Sequence, residues 1–111
     1  MKHVASRLFI VLGFIFTWPV SGQLSLVERG NEVYQYWCAT CHGRSSGKPG
    51  TVALEALYQG KKPALLEERM DLDPELTKFF VRNGVSVMPF FRKTEISDAD
   101  LEAIAAYLAP K

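Results

Sequence analysis

Cys38-Ala39-Thr40-Cys41-His42 is the stretch of this chain whose residue types and spacing could do chemistry. Two cysteines three positions apart at a helix end project to one side. An imidazole follows at the next position. A zinc site would need about four ligands, and beyond the first few residues only Cys38, Cys41 and His42 are thiol or imidazole donors. A thioredoxin-like dithiol belongs in a βαβ setting, and no such pattern is visible. A plain structural disulfide is the third alternative. Against these, C-x-x-C-H is the attachment signature of haem c. Its two sulfurs can reach two vinyl groups of one porphyrin, and His42 then lies under the iron.

An iron held this way leaves a sixth position to fill. Without His3, near the start, the chain has no second histidine, and Met70 and Met88 offer the thioethers. Met70 stands among Glu67, Glu68, Arg69 and Asp71, a charged and solvated stretch. Met88 stands in Val85-Ser86-Val87-Met88-Pro89-Phe90-Phe91, apolar enough to wall a crevice, and Pro89 biases it toward an extended backbone. Met88 is the expected axial ligand. Met70 and an open or water-filled position are the alternatives. Trp37, Tyr58, Phe79, Phe80, Phe90 and Phe91 are available to line the pocket. A haem enzyme or gas sensor would need an open iron and polar distal groups, and no distal histidine is present.

The elements that must position these residues read as all-α. Ser25 and Glu28 form a capping-box pattern, and Leu26, Gly30, Val33, Tyr34 and Trp37 share the face of a helix running into Cys38. Gly43 to Gly50 reads as a loop. Thr51, Leu54, Leu57 and Tyr58 predict one or two helical turns, stopped by Gly60. Lys61-Lys62-Pro63 is a turn, and 64–69 one more helical turn. Asp73-Pro74 starts a helix with Leu76, Phe79 and Phe80 on its apolar face, ended by Asn83-Gly84 in a left-handed conformation. Val85 to Thr94 is the loop around Met88. Ser97 and Asp100 form a second capping-box pattern. Leu101, Ile104, Ala105 and Leu108 are the buried face of a last helix that ends at Pro110.

The chain has 111 residues, 48% hydrophobic and 23% charged, the balance of one small globular domain. Lys2, His3 and Arg7 precede an 11-residue apolar run, Leu8 to Trp18, then Pro19 and the small residues Val20-Ser21-Gly22. This is a signal-peptide layout, with cleavage expected near Gly22/Gln23, so that residues 1–22 are leader and 23–111 the domain. A spanning helix needs about 20 apolar residues, so no stable membrane anchor is expected. Cleavage leaves 11 basic against 12 acidic residues, a net charge of −1 where the whole chain has +1. Neither value supports a nucleic-acid footprint.

Over Gly30 to Leu108 the chain resembles the class I cytochromes c, the small single-haem electron carriers. Gly30 and Tyr34 precede Cys38 in that family's spacing, Tyr107 matches its aromatic partner in the last helix, and Arg82-Asn83-Gly84 followed by Met88-Pro89 matches its approach to the axial methionine. The resemblance implies a small helical domain wrapped around one covalently attached haem, an electron carrier rather than an enzyme. Its first and last helices would cross at Gly30, with Tyr34 and Tyr107 packed there. It also implies a proline carbonyl accepting the ring N–H of His42, with Pro49 as candidate and Pro63 as alternative.

More narrowly, the short haem-to-methionine segment is similar to the cytochrome subunits of 4-cresol dehydrogenase-type flavocytochromes. The implied role is a periplasmic carrier taking electrons from a dehydrogenase, such as a flavin dehydrogenase, and passing them to a further cytochrome or terminal oxidase of the respiratory chain. The alternative is a permanently docked subunit of a flavin-dependent phenol-oxidising dehydrogenase. Phe90 and Phe91 with Arg92 and Lys93, joined by Lys61 and Lys62, would form the docking rim.

Overall fold

The computed structural model describes residues 24–111, and the expected leader and its cleavage site lie outside them. Five helices follow in order: α1 Leu26–Trp37, α2 Ala39–His42, α3 Pro49–Tyr58, α4 Pro74–Asn83 and α5 Asp98–Leu108. A 3₁₀ turn, Leu66–Glu68, lies between α3 and α4. The described residues form no strand beyond an isolated bridge between Val85 and Met88, so the all-α expectation holds. None of the described helices is long and apolar enough to cross a membrane.

α1 begins as its sequence requires. The Ser25 side chain accepts from the Glu28 N–H, and the Glu28 carboxylate accepts from the Ser25 N–H at 2.8 Å, so two end donors are satisfied reciprocally. α4 begins with the Asp73 side chain accepting from the Glu75 N–H at 2.8 Å, and Pro74 takes the first position. α5 has only half of its expected box. Ser97 accepts from the Asp100 N–H at 3.0 Å, but the Asp100 carboxylate turns to Arg29 at 2.9 Å and ties α5 to α1.

The most extensive contact between elements joins α1 and α5. Val33 and Tyr34 from α1 pack with Leu101, Ile104 and Leu108 from α5, and Leu72, Val81 and Ile96 complete the cluster. Gly30 is buried where the helices meet. A Cβ there would be 2.6 Å from the Ala103 carbonyl carbon and 2.7 Å from Tyr107 Cβ. Above it the Tyr34 and Tyr107 rings pack with centroids 5.4 Å apart. Glycine at this point lets the two backbones touch, as the sequence predicts.

Two expectations are corrected. α3 starts at Pro49, not Thr51, and runs 10 residues. Proline at the first helical position needs no N–H partner there, so the loop after His42 closes sooner than its glycines and serines suggest. On α4 the core side is Thr77 and Val81, while Leu76 and Phe79 are exposed and Phe80 is half-buried. Thr77 and Val81 are small and β-branched, which allows α4 to lie close to α5. Gly84 ends α4 with φ +70°, in the positive-φ region that favours glycine. Its ψ of 172° is extended rather than left-handed helical, which turns the chain sharply into Val85.

Candidate functional site

The Cys38–His42 segment is a single helical turn held from both sides. The Cys38 carbonyl accepts from the N–H groups of Cys41 at 3.0 Å and His42 at 2.8 Å. This winding places the Cys38 and Cys41 side chains, at i and i+3, on one side. Both are free thiols; Cys38 is half-buried and Cys41 exposed. Burial first, then the neighbouring Cys41, pushes the Cys38 thiol up to about 12.

His42 sits half-buried beneath the turn. Burial lowers its pKa, which keeps the imidazole neutral, the form that binds metals. Nδ1 is closed off from solvent and has no hydrogen-bond partner among the described residues. Neither Pro49 nor Pro63 therefore accepts from it in this arrangement. Pro49 is the first residue of α3, where the carbonyl is aimed along the helix axis into the next turn. The ring edge meets Gly50 instead, where a Cβ would stand 2.7 Å from Cε1.

Two hydroxyls hold the backbone around His42. Tyr34, fully buried, donates its O–H to the His42 carbonyl at 3.0 Å. Thr51 donates to the Gly43 carbonyl at 3.1 Å. Neither role was legible from the sequence. Tyr34 is visible there as a packing residue, and Thr51 only as a helix start.

Met88 is carried by a tight turn. Its N–H donates to the Val85 carbonyl at 2.9 Å and its carbonyl accepts from the Val85 N–H at 3.1 Å, with Ser86 at φ +54°. Met88 packs against the core cluster that Trp37, Cys38 and Ala39 also touch. The segment behind it is anchored by the Phe91 N–H to the Val81 carbonyl at 2.8 Å and by Arg82 to the Phe91 carbonyl at 3.0 Å. Phe91 meets Trp37 edge to face, centroids 5.8 Å apart. The residue after Met88 and the residue before Cys38 thus lead to one aromatic contact.

Met70 is 65% exposed, as expected, but its neighbours are not uniformly solvated. Arg69 is buried. It donates to both carboxylate oxygens of Asp71, at 2.7 and 2.8 Å, and to the Tyr58 hydroxyl at 2.7 Å. Glu67 turns inward to the Tyr107 hydroxyl. The Arg69 guanidinium, aided by Lys62, holds the Asp71 carboxyl well below the ordinary carboxylate range. A carboxyl lowered by folding contributes stability above its unfolded value, near pH 4. That contribution is lost as pH falls through the folded value. The melting temperature of the wild type should therefore fall more steeply than that of Asp71→Asn between about pH 4 and pH 2, measured by circular dichroism. Parallel curves would show that the pair carries no pH-dependent stability.

Of the expected basic rim, Lys93 is paired with Asp98 at 2.7 Å, and Arg82 shares that carboxylate at 2.9 Å. Lys62 is paired with Asp71 at 3.2 Å. The Arg92 guanidinium stands 6.0 Å over the Phe90 ring. A cleft of about 400 Å³ lies elsewhere, among Arg44, Thr51, Glu55, Lys62, Leu65 and Glu68. None of the thiol, imidazole or thioether donors lines it, and its walls are too charged for an apolar macrocycle.

The donor set fits a haem c. It offers two unpaired thiols on one turn, a neutral imidazole whose Nδ1 is shut away, and a half-buried thioether. Val52, Leu57, Phe79, Val85 and Phe90 present apolar side chains at the surface, available to cover a large apolar group. A search of curated proteins finds no match to the chain. The family model described as cytochrome C oxidase, cbb3-type, subunit III matches residues 25–108, nearly all of the described residues. The chain therefore belongs to this cytochrome c family: it is a class I-like cytochrome c domain that carries covalently bound haem c and transfers electrons.

Proposed function

We propose that the protein is an exported single-electron carrier. In this reading residues 1–22 are removed on export to the periplasm, and residues 23–111 form the working domain. Cys38 and Cys41 hold the haem by thioether bonds, and His42 and Met88 are the axial ligands. The observation that carries the reading is the Cys38–His42 turn, with its two free thiols and neutral half-buried imidazole. Bound there, the haem iron supplies a one-electron couple. His42 and Met88 together keep the coordination the same in both redox states. The soft Met88 thioether and the apolar side chains around it favour the reduced form.

The proposed donor is a dehydrogenase of the flavin-dependent, phenol-oxidising kind, and the acceptor a further cytochrome or terminal oxidase. Docking is assigned to the Met88 side, where Val87 is 91% and Phe90 55% exposed. Those exposed apolar side chains also favour the second reading, a permanently docked subunit of such a dehydrogenase, because exposed apolar patches mark interfaces. Stopped-flow reduction by a flavin dehydrogenase of the same host separates the two. A diffusing carrier steered by charge gives a second-order rate that falls with salt, and Arg92→Glu with Lys93→Glu slows it several-fold at unchanged potential. A docked subunit gives a rate independent of both protein concentration and salt. An unchanged rate and salt slope in the double variant would place docking elsewhere.

A further inference from the structure

We propose that the first turn of α3 sets the orientation of the His42 imidazole, with Gly50 as the positioning residue. The proposal rests on the reading of His42 as an axial ligand.

The plane of a ligating histidine is ordinarily fixed by the hydrogen bond that its other nitrogen makes. Here Nδ1 is buried and makes no such bond among the described residues. Contact must do what the hydrogen bond would do, and the contact is Gly50. A Cβ at this position would stand 2.7 Å from Cε1 and 2.9 Å from Nδ1 of the ring, and 2.9 Å from the Cys41 carbonyl oxygen. Real Cβ atoms do not approach that closely, so the bare α-carbon is what the ring lies against.

The backbone does not itself demand glycine. Gly50 is not among the residues with positive φ, which are Gly47, Gly60 and Gly84 together with Gln59 and Ser86. Glycine is also a poorer helix former than alanine, yet it occupies the second position of α3. Steric room for the imidazole accounts for it.

The remaining freedom of His42 is taken up by its backbone contacts. Tyr34 from α1 holds the His42 carbonyl, and Thr51 from α3 holds the next carbonyl, that of Gly43. Gly43 is itself buried against the Ala39 carbonyl. With the main chain held from two helices, rotation of the side chain is what remains. Gly50 closes one side of that rotation. Thr51 keeps the α3 turn, and hence Gly50, in register with the ring.

The test uses the mature holoprotein and reads the haem-methyl resonances of the oxidised state by NMR, whose hyperfine shifts follow the axial imidazole plane. Gly50→Ala should retain attached haem and helix content while moving the methyl resonances out of their wild-type pattern. Thr51→Val should move them in the same sense by less, and Thr51→Ser should restore the wild-type pattern. Methyl resonances of Gly50→Ala that superimpose on the wild type would overturn the proposal. If Gly50→Ala does not mature, Thr51→Val decides: a displaced pattern supports the proposal and an unchanged one overturns it. His42→Ala separates the two layers. Loss of nitrogen ligation there, with an unchanged pattern in Gly50→Ala, defeats this inference alone. Retained wild-type ligation in His42→Ala defeats the ligand reading and this proposal with it.

Discussion

Gly30→Val should lower the melting temperature of the holoprotein by at least about 10 °C and sharply reduce its yield. The new Cβ would be forced into the Ala103 carbonyl and to within 2.7 Å of Tyr107 Cβ. One obstacle is backbone, so a side-chain rotation cannot relieve the clash. The helices would have to separate, and Val33, Tyr34, Leu101, Ile104 and Leu108 all depend on their closeness. Overpacking a core typically costs about 1–3 kcal/mol. A domain has only about 5–15 kcal/mol in total, and a small one sits toward the low end. Each kilocalorie moves the melting temperature of a domain this size by about 4–8 °C. Thermal unfolding followed by circular dichroism checks the expectation. A melting point within about 2 °C of wild type would mean the crossing does not rest on this glycine.

Met88→Ala should abolish the weak sulfur-to-iron charge-transfer band of the oxidised protein and lower the reduction potential, while Met70→Ala leaves both nearly unchanged. Met88 packs on the core cluster that also receives Cys38, whereas Met70 is 65% exposed beside a buried Arg69. The turn bearing Met88 is closed by main-chain hydrogen bonds to Val85, so alanine should keep the loop and remove only the sulfur. Optical spectra and a redox titration of the two variants read the effect. The band surviving in Met88→Ala and vanishing in Met70→Ala would reverse the assignment.

Where one local rule decides the geometry, the structure was legible in the sequence. Ser25 with Glu28 and Asp73 with Pro74 start helices because a side chain meets an end N–H two or three residues on, a relation written in consecutive residues. Gly30 and Tyr107 were legible through a family resemblance, since nothing local says that Gly30 will meet Ala103. The apolar face of α4 was misread for a physical reason. A chain that binds a large apolar cofactor must satisfy a core and a cofactor. Hydrophobic periodicity marks Leu76, Phe79 and Phe80 as apolar without saying which of the two they serve. Thr77 and Val81, smaller and less conspicuous, are the residues that pack inward. Asp100 was expected to complete a cap, but Arg29 from α1 competes for its carboxylate, and only the fold brings Arg29 there. The same holds for the site. Cys38, Cys41 and His42 form a motif in consecutive residues. Thr51 and Gly50 reach His42 only because Pro49 starts α3 early enough to bring its first turn against the ring.

The central claim is that Cys38 and Cys41 hold the haem covalently. Its most direct test is haem staining of the mature protein after denaturing electrophoresis, with tandem mass spectrometry of the peptide that contains Cys38 to His42. The expected result is haem that stays with the denatured chain, its mass located on the two cysteines, with Cys38→Ala/Cys41→Ala losing the stain. Haem that extracts from the wild type into acidified organic solvent, leaving two free thiols, would contradict it.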